Sequence, residues 1–214
     1  MDITSHHIQT ALANDVWTFA NDLLYRLCRE HPEHNKPEVV IAKIWLIGRT
    51  YAAAIERRRN KQLDNDSFYE RKVAPCLMSA RLDLDGQLGR LGKYEGIDAR
   101  SIGAVLAAHK KLLDTLNRLT QLNKRSLASK YLHFHCPDLF YLYDTRAVIG
   151  LRRIKPGARV TLAVSGKNDF DPEYARFALK LLDLQEQVAR DFRQRLTPRQ
   201  LDRLLLKLAA ERRT

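Results

Sequence analysis

The sequence predicts an all-α protein. Apolar residues recur every three or four positions through most of the chain, prolines and capping residues fall at the edges of those runs, and strict alternation is confined to one short stretch. With 214 residues the chain can bury one good core, so a single compact helical domain over 1–214 is expected. If it divides at all, the division lies between lobes 1–100 and 101–214, with a cleft between them and the C-terminal helices packing back on the N-terminal ones.

Leu12, Val16, Phe19, Ala20, Leu23 and Leu27 make the stripe of a first long helix that ends before Pro32. A second helix opens at Pro37, since proline suits a first turn, and buries Val40, Ile44, Ile47, Tyr51 and Ile55. It ends in the basic run Arg57-Arg58-Arg59-Asn60-Lys61, where the helix dipole favours cations. A shorter helix covers Phe68 to Leu82. Residues 85–96 carry four of the nine glycines and read as an irregular, mobile loop.

Ser101 caps the next helix, with Ile102, Val105, Leu106, Leu113 and Leu116 inward and Lys110 and Lys111 in water. A turn at Leu122-Asn123-Lys124 leads into a helix from Arg125 to His135, which stops before Pro137. An aromatic patch, Phe140-Tyr141-Leu142-Tyr143, then leads to Asp144. From Thr145 to Asn168 there is no acid, but Arg146, Arg152, Arg153, Lys155, Arg159 and Lys167 are present. Val160, Leu162 and Val164 alternate as in a short strand or extended loop. Asp171-Pro172-Glu173 and Thr197-Pro198 start the last two helices. From Arg190 onward, eight Lys or Arg stand against three acids, facing away from Leu201, Leu204, Leu205 and Leu208.

Thirty-seven Lys and Arg against 25 acids give a net charge of +12. A polyanion gains from such a surface by releasing condensed counterions, which makes nucleic acid the expected partner; a basic surface kept for solubility is the plainer explanation. No stretch has the length and apolarity of a membrane span, and Met1-Asp2-Ile3-Thr4 lacks the build of a signal peptide, so a cytoplasmic location without membrane contact is expected. Cys28, Cys76 and Cys136 are too scattered for a disulfide framework. His133 and His135 point to different helix faces, and His6-His7 reads as a solvated pair; neither a metal nor another cofactor is expected.

The stretch Ser126-Leu127-Ala128-Ser129-Lys130-Tyr131-Leu132-His133-Phe134-His135-Cys136-Pro137, continuing to Tyr143-Asp144-Thr145-Arg146, resembles the end of the catalytic core in helix-hairpin-helix DNA glycosylases. In that family a helix bearing a small-residue signature precedes a Val-Asp-Thr-His motif that holds the catalytic aspartate. The resemblance places Asp144 on the aspartate and Ala128 on the helix alanine. Ser126 takes the position of the lysine nucleophile of lyase-competent members, which implies a monofunctional enzyme, with Lys130 one turn along and Lys124 near as substitutes. It covers about residues 120–150. The family's Gly-Val-Gly hairpin falls on Leu122-Asn123-Lys124, where no glycine stands. Extended to bacterial antiviral members, the likeness implies a hypermodified phage base as target.

Cleaving an N-glycosidic bond builds positive charge on the sugar, and one carboxylate beside the anomeric carbon stabilises it or orients a water. Asp144 suits that role. Tyr143, Tyr141, Phe134 and His133 are the candidates for holding an extruded base. Arg146, Arg152, Arg153, Lys155, Lys124, Arg57 and Arg58 are those for contacting DNA. The expected partner is double-stranded DNA with a flipped base, bound by a monomer. Ordinary roles compete: core packing for each aromatic and a helix N-cap for Asp144. Two other classes fit the composition. One is an all-α ribonuclease toxin, using the Arg26…His31 or Arg29…His34 spacing; the other is a DNA-binding protein without catalysis.

Overall fold

The computed structural model describes residues 2–154 and 169–211. Among them the chain is all helical: eleven α-helices and one π-helical turn, with no strand. Lys155, Arg159 and Lys167, as well as the alternating Val160, Leu162 and Val164, lie outside the described residues.

The first long helix is in fact two, α1 (Ser5–Leu12) and α2 (Thr18–Glu30). Asp15 breaks it, because its carboxylate accepts from the Trp17 N–H and its backbone N–H donates to the Thr18 hydroxyl, a turn from which a second helix starts. The stripe that suggested one helix therefore misses the core: Val16 is 89% exposed and Phe19 72%. Asn21, Leu24 and Cys28 form the buried face of α2. The helix α3 (Pro37–Thr50) buries Val40, Ile44 and Ile47 as its spacing predicts. It stops earlier than expected, at Thr50, and Ala52 just beyond it lies in the left-handed region (φ 51°). The chain turns back so closely there that a Cβ on Gly48 would stand 3.3 Å from the Ala54 Cα. Ile55 is still buried, but from a loop, and the basic run at 57–61 is loop rather than helix end.

Residues 65–79 form α4 (Asn65–Phe68), a π turn (Tyr69–Val73) and α5 (Ala74–Ser79). Pro75 lacks the N–H that a regular helix would direct at the Arg71 carbonyl, and the wide turn accommodates it. The glycine-bearing stretch is a second departure: α6 (Arg81–Leu91) runs through Gly86 and Gly89, held by buried Leu84 and Leu91, and only 92–101 is irregular.

The helix α7 (Ile102–Thr120), a turn with Gln121 left-handed, and α8 (Arg125–His135) form a helical hairpin. Every residue of α8 from Leu127 to Phe134 is buried, because α2, α3 and α7 all pack on it. The chain then crosses the interior in an extended run, with Leu139, Phe140, Tyr141 and Leu142 buried, before α9 (Thr145–Arg153), α10 (Pro172–Phe192) and α11 (Pro198–Ala210). The last helix packs on α9 and on α1. One continuous hydrophobic core extends from Ile8 to Leu208. Among the described residues, no helix is long and apolar enough to cross a membrane, and no group of three His, Cys, Asp or Glu could hold a metal ion.

Candidate active site

On α8, residues four apart share a face, which puts Ser126 and Lys130 side by side. Opposite them, Asp144 sits at the start of α9, and the open end of α3 contributes the Tyr51 carbonyl. Lys130 joins all of these: its Nζ donates to Ser126 Oγ at 3.1 Å, to Tyr51 O at 3.3 Å and to Asp144 Oδ2 at 3.3 Å. The three residues singled out as catalytic from two separate stretches of sequence thus meet around one ammonium group. The Lys130 side chain is 3% exposed and that of Asp144 27%, so the pair opens to solvent on the carboxylate side. Asp144 is also a helix cap, since its Oδ1 accepts from the Ala147 N–H at 2.8 Å. One oxygen caps α9, and the other is shared with Lys130.

Behind this cluster, α11 supplies Arg199 and Asp202, which spacing had placed with the outward-facing charges. Asp202 is buried, 3.7 Å from Arg199, and its Oδ1 has no hydrogen-bond partner. Burial, opposed by Arg199 and reinforced by the nearby Asp144 charge, pushes its carboxyl up to about 6. The Arg199 guanidinium lies 5.4 to 5.8 Å from the ring centres of Tyr25, Tyr51 and Phe134. Its Nε donates to the Tyr25 hydroxyl at 3.0 Å. That hydroxyl meets His133 Nε2 at 2.6 Å, while His133 Nδ1 lies 2.8 Å from the Phe140 carbonyl. Burial holds the His133 pKa well below its ordinary value, so the ring is neutral, donates from Nδ1 and accepts at Nε2.

Most of the proposed base pocket is core instead. Tyr141 is sealed and donates to Gln185 Oε1 at 2.9 Å, while Phe134 and His133 are buried beneath Tyr25 and Arg199. None of the three presents a free ring face to a base. Tyr143 is half-buried, its hydroxyl donating to Glu173.

The proposed DNA contacts divide in the same way. Arg57, Arg146 and Arg152 are exposed. Arg58 is buried over the Phe68 ring, 4.0 Å from its centre, and donates to Asn65 and to the carbonyls of Glu56, Leu63 and Asp64. Lys124 is buried and donates to the Ala54 carbonyl at 2.9 Å, burial lowering its amine to about 8. Arg153 donates to the Leu208 and Glu211 carbonyls at the end of α11. These three hold the fold and are not free to reach a phosphate. His34 is likewise enclosed, with Nδ1 2.5 Å from Asp85 and Nε2 2.7 Å from the Tyr131 hydroxyl. Burial lowers its pKa to about 4, which leaves the Arg29…His34 pair without a solvent-facing base.

A cleft of about 530 Å³ between α9 and α10 was missed by the sequence reading. Tyr143, Val148, Leu151, Pro172 and Phe177 give it apolar walls, and Arg152, Arg176 and Lys180 line it with charge. Of its lining residues the sequence singled out Tyr143 and Arg152, but not Arg176 and Lys180, which stand one helical turn apart beside Phe177.

Compared with family models, with curated proteins and with solved structures, the chain matches none.

Proposed function

We propose that the protein is a nucleic-acid N-glycosylase that removes a modified base from DNA through Asp144 and leaves an abasic site. The observation that carries this reading is the meeting of Asp144, Lys130 and Ser126, with the carboxylate on the open side of the group. As the C1′–N bond breaks, its electron pair leaves with the base and positive charge grows on the sugar. In this reading the Asp144 carboxylate opposes that charge and orients a water, whose oxygen bonds to C1′ while its proton passes to solvent or base. Lys130 and the Ala147 N–H fix the carboxylate beforehand, so that little reorganisation is left for the reaction. Lys130 is held by three acceptors, which favours hydrolysis by water over attack by the amine. The net charge and the exposed Arg57, Arg146 and Arg152 support a polyanionic substrate.

The test is excision from synthetic duplexes carrying modified bases, followed by alkali cleavage of abasic sites. Wild type should yield strand breaks only after alkali, and borohydride should trap no covalent complex. An Asp144→Asn protein as active as wild type refutes the assignment. A second reading, a DNA-binding protein without catalysis, is favoured by the capping bond from Asp144 to Ala147. It predicts salt-sensitive binding with no product on any modified duplex.

A further inference from the structure

The cleft between α9 and α10 is separate from the Asp144 cluster: Ser126, Lys130, Asp144 and Asp202 are not among its lining residues. Its two acids are already engaged. Asp171 caps α10 through the Tyr174 N–H at 2.7 Å and takes a two-pronged contact from Arg125, at 2.5 and 2.9 Å. Glu173 accepts from Arg125 at 2.8 Å and from the Tyr143 hydroxyl. Arg152, Arg176 and Lys180 have no ion-pair partner among the described residues, and all three are exposed. Three unpaired cations on one concave surface repel one another and together favour an anion. Beside them Tyr143 stands edge-on to Phe177, with ring centres 5.1 Å apart at 77°. The volume exceeds what a bare phosphate fills and falls within the usual range for small organic ligands.

We infer that this cleft binds one nucleotide of a nucleic-acid strand, its phosphate on Arg152, Arg176 and Lys180 and its base against Tyr143. The inference rests on the nucleic-acid partner proposed above but not on glycosidic chemistry, and it gives the protein a second contact beside the reacting nucleotide. Arg125 sits 5.3 Å from the Tyr143 ring centre and, with Glu173, fixes the ring in place, so the aromatic wall is ordered before any ligand arrives.

The probe is a labelled single-stranded oligothymidylate, titrated by fluorescence anisotropy against the full chain at several salt concentrations. The double variant Arg176→Ala/Lys180→Ala removes exposed side chains and should keep the native circular dichroism. Its affinity should fall about tenfold or more, and its log K against log salt slope should flatten by roughly 0.7 for each cation lost. Thymidine monophosphate should displace the probe at concentrations where inorganic phosphate does not, and Tyr143→Leu should abolish that difference. A wild type that binds the probe, together with a double variant unchanged in affinity and slope, overturns the cleft assignment and leaves the proposed function standing. Equal displacement by inorganic phosphate and the nucleotide overturns the base contact. A wild type that binds no oligothymidylate at low salt overturns this inference, and one that also fails to bind a DNA duplex overturns the nucleic-acid partner as well.

Discussion

Lys130 Nζ lies 3.3 Å from Asp144 Oδ2, in a pair whose cation is sealed and whose anion is partly open. The lysine is therefore the buried anchor, and the aspartate is the end of the pair that meets solvent. Replacing Lys130 with Met keeps the volume but leaves Ser126 Oγ, Tyr51 O and Asp144 Oδ2 without their shared donor. Stability should fall by about 1–3 kcal/mol, the usual cost of acceptors left unsatisfied. Excision should fall by about a hundredfold or more as the carboxylate loses its orientation. Urea unfolding and single-turnover excision, run in parallel, separate the two effects.

Capping and chemistry at Asp144 can be separated by two substitutions. Asparagine caps a helix about as well as aspartate, so Asp144→Asn should keep the cap and remove excision, costing about 1–3 kcal/mol only through the lost charge opposite the sealed Lys130. Asp144→Ala should lose excision and a further increment of about 1 kcal/mol of stability. Thermal unfolding and an alkali-cleavage assay on the same preparations give both readouts.

Asp202 makes stability depend on pH in an unusual direction. Its folded carboxyl sits at about 6 against an ordinary value of 3.8, so the folded chain holds that proton more tightly than the unfolded one. The stability this gives is complete below the ordinary value and is lost as pH rises through 6, a total on the order of 3 kcal/mol. Asp202→Asn cannot titrate, and the drop between pH 4 and pH 7 should flatten in urea titrations of the variant.

His109 works in the opposite sense. Its ring lies flat on Tyr174, with centres 3.6 Å apart at 10°, and burial lowers its pKa to about 3. The folded state excludes the proton, so this stability is complete above the ordinary value of 6.5 and is lost as pH falls toward 3. His109→Phe retains a ring on Tyr174 and removes the titration. Its acid unfolding midpoint should move to lower pH, as followed by circular dichroism.

Gly150 marks the closest approach of α9 and α11. A Cβ there would lie 2.1 Å from the Leu205 carbonyl oxygen and 2.9 Å from its Cα, both backbone atoms that cannot swing aside. Gly150→Ala should cost at least about 3 kcal/mol, the upper end of ordinary overpacking, and should lower the unfolding temperature despite alanine's better helix propensity.

How far these features could be read in advance varies along the chain. The starts at Pro37, Pro172 and Pro198 were legible because a proline marks each, and α8 because the turn at 122–124 precedes it and Pro137 follows it. The break between α1 and α2 was not, since Asp15 acts through turn bonds that leave the apolar period intact. Residues 85–91 looked like loop because glycine propensity is weak beside the burial of Leu84 and Leu91. For the candidate site, the Ser126 and Lys130 spacing and the Asp144 motif were local signals, and they led to one place. Asp202, Arg199 and the cleft needed α11 and α10 to be folded back across the molecule, which no local pattern records. Tyr141, Phe134 and His133 had the right chemistry for a base pocket, but packing demanded them first.

The split between α1 and α2 also determines how the molecule will look to a spectrometer. The chain has two tryptophans, and both stand in water: Trp17 is 65% exposed and Trp45 41%. Native indole emission should already resemble that of the unfolded chain, so it will report poorly on loss of the core. Trp17 shares its turn with Val16 and Phe19, which makes the same fluorescence a sensitive reporter for anything that settles on that apolar edge.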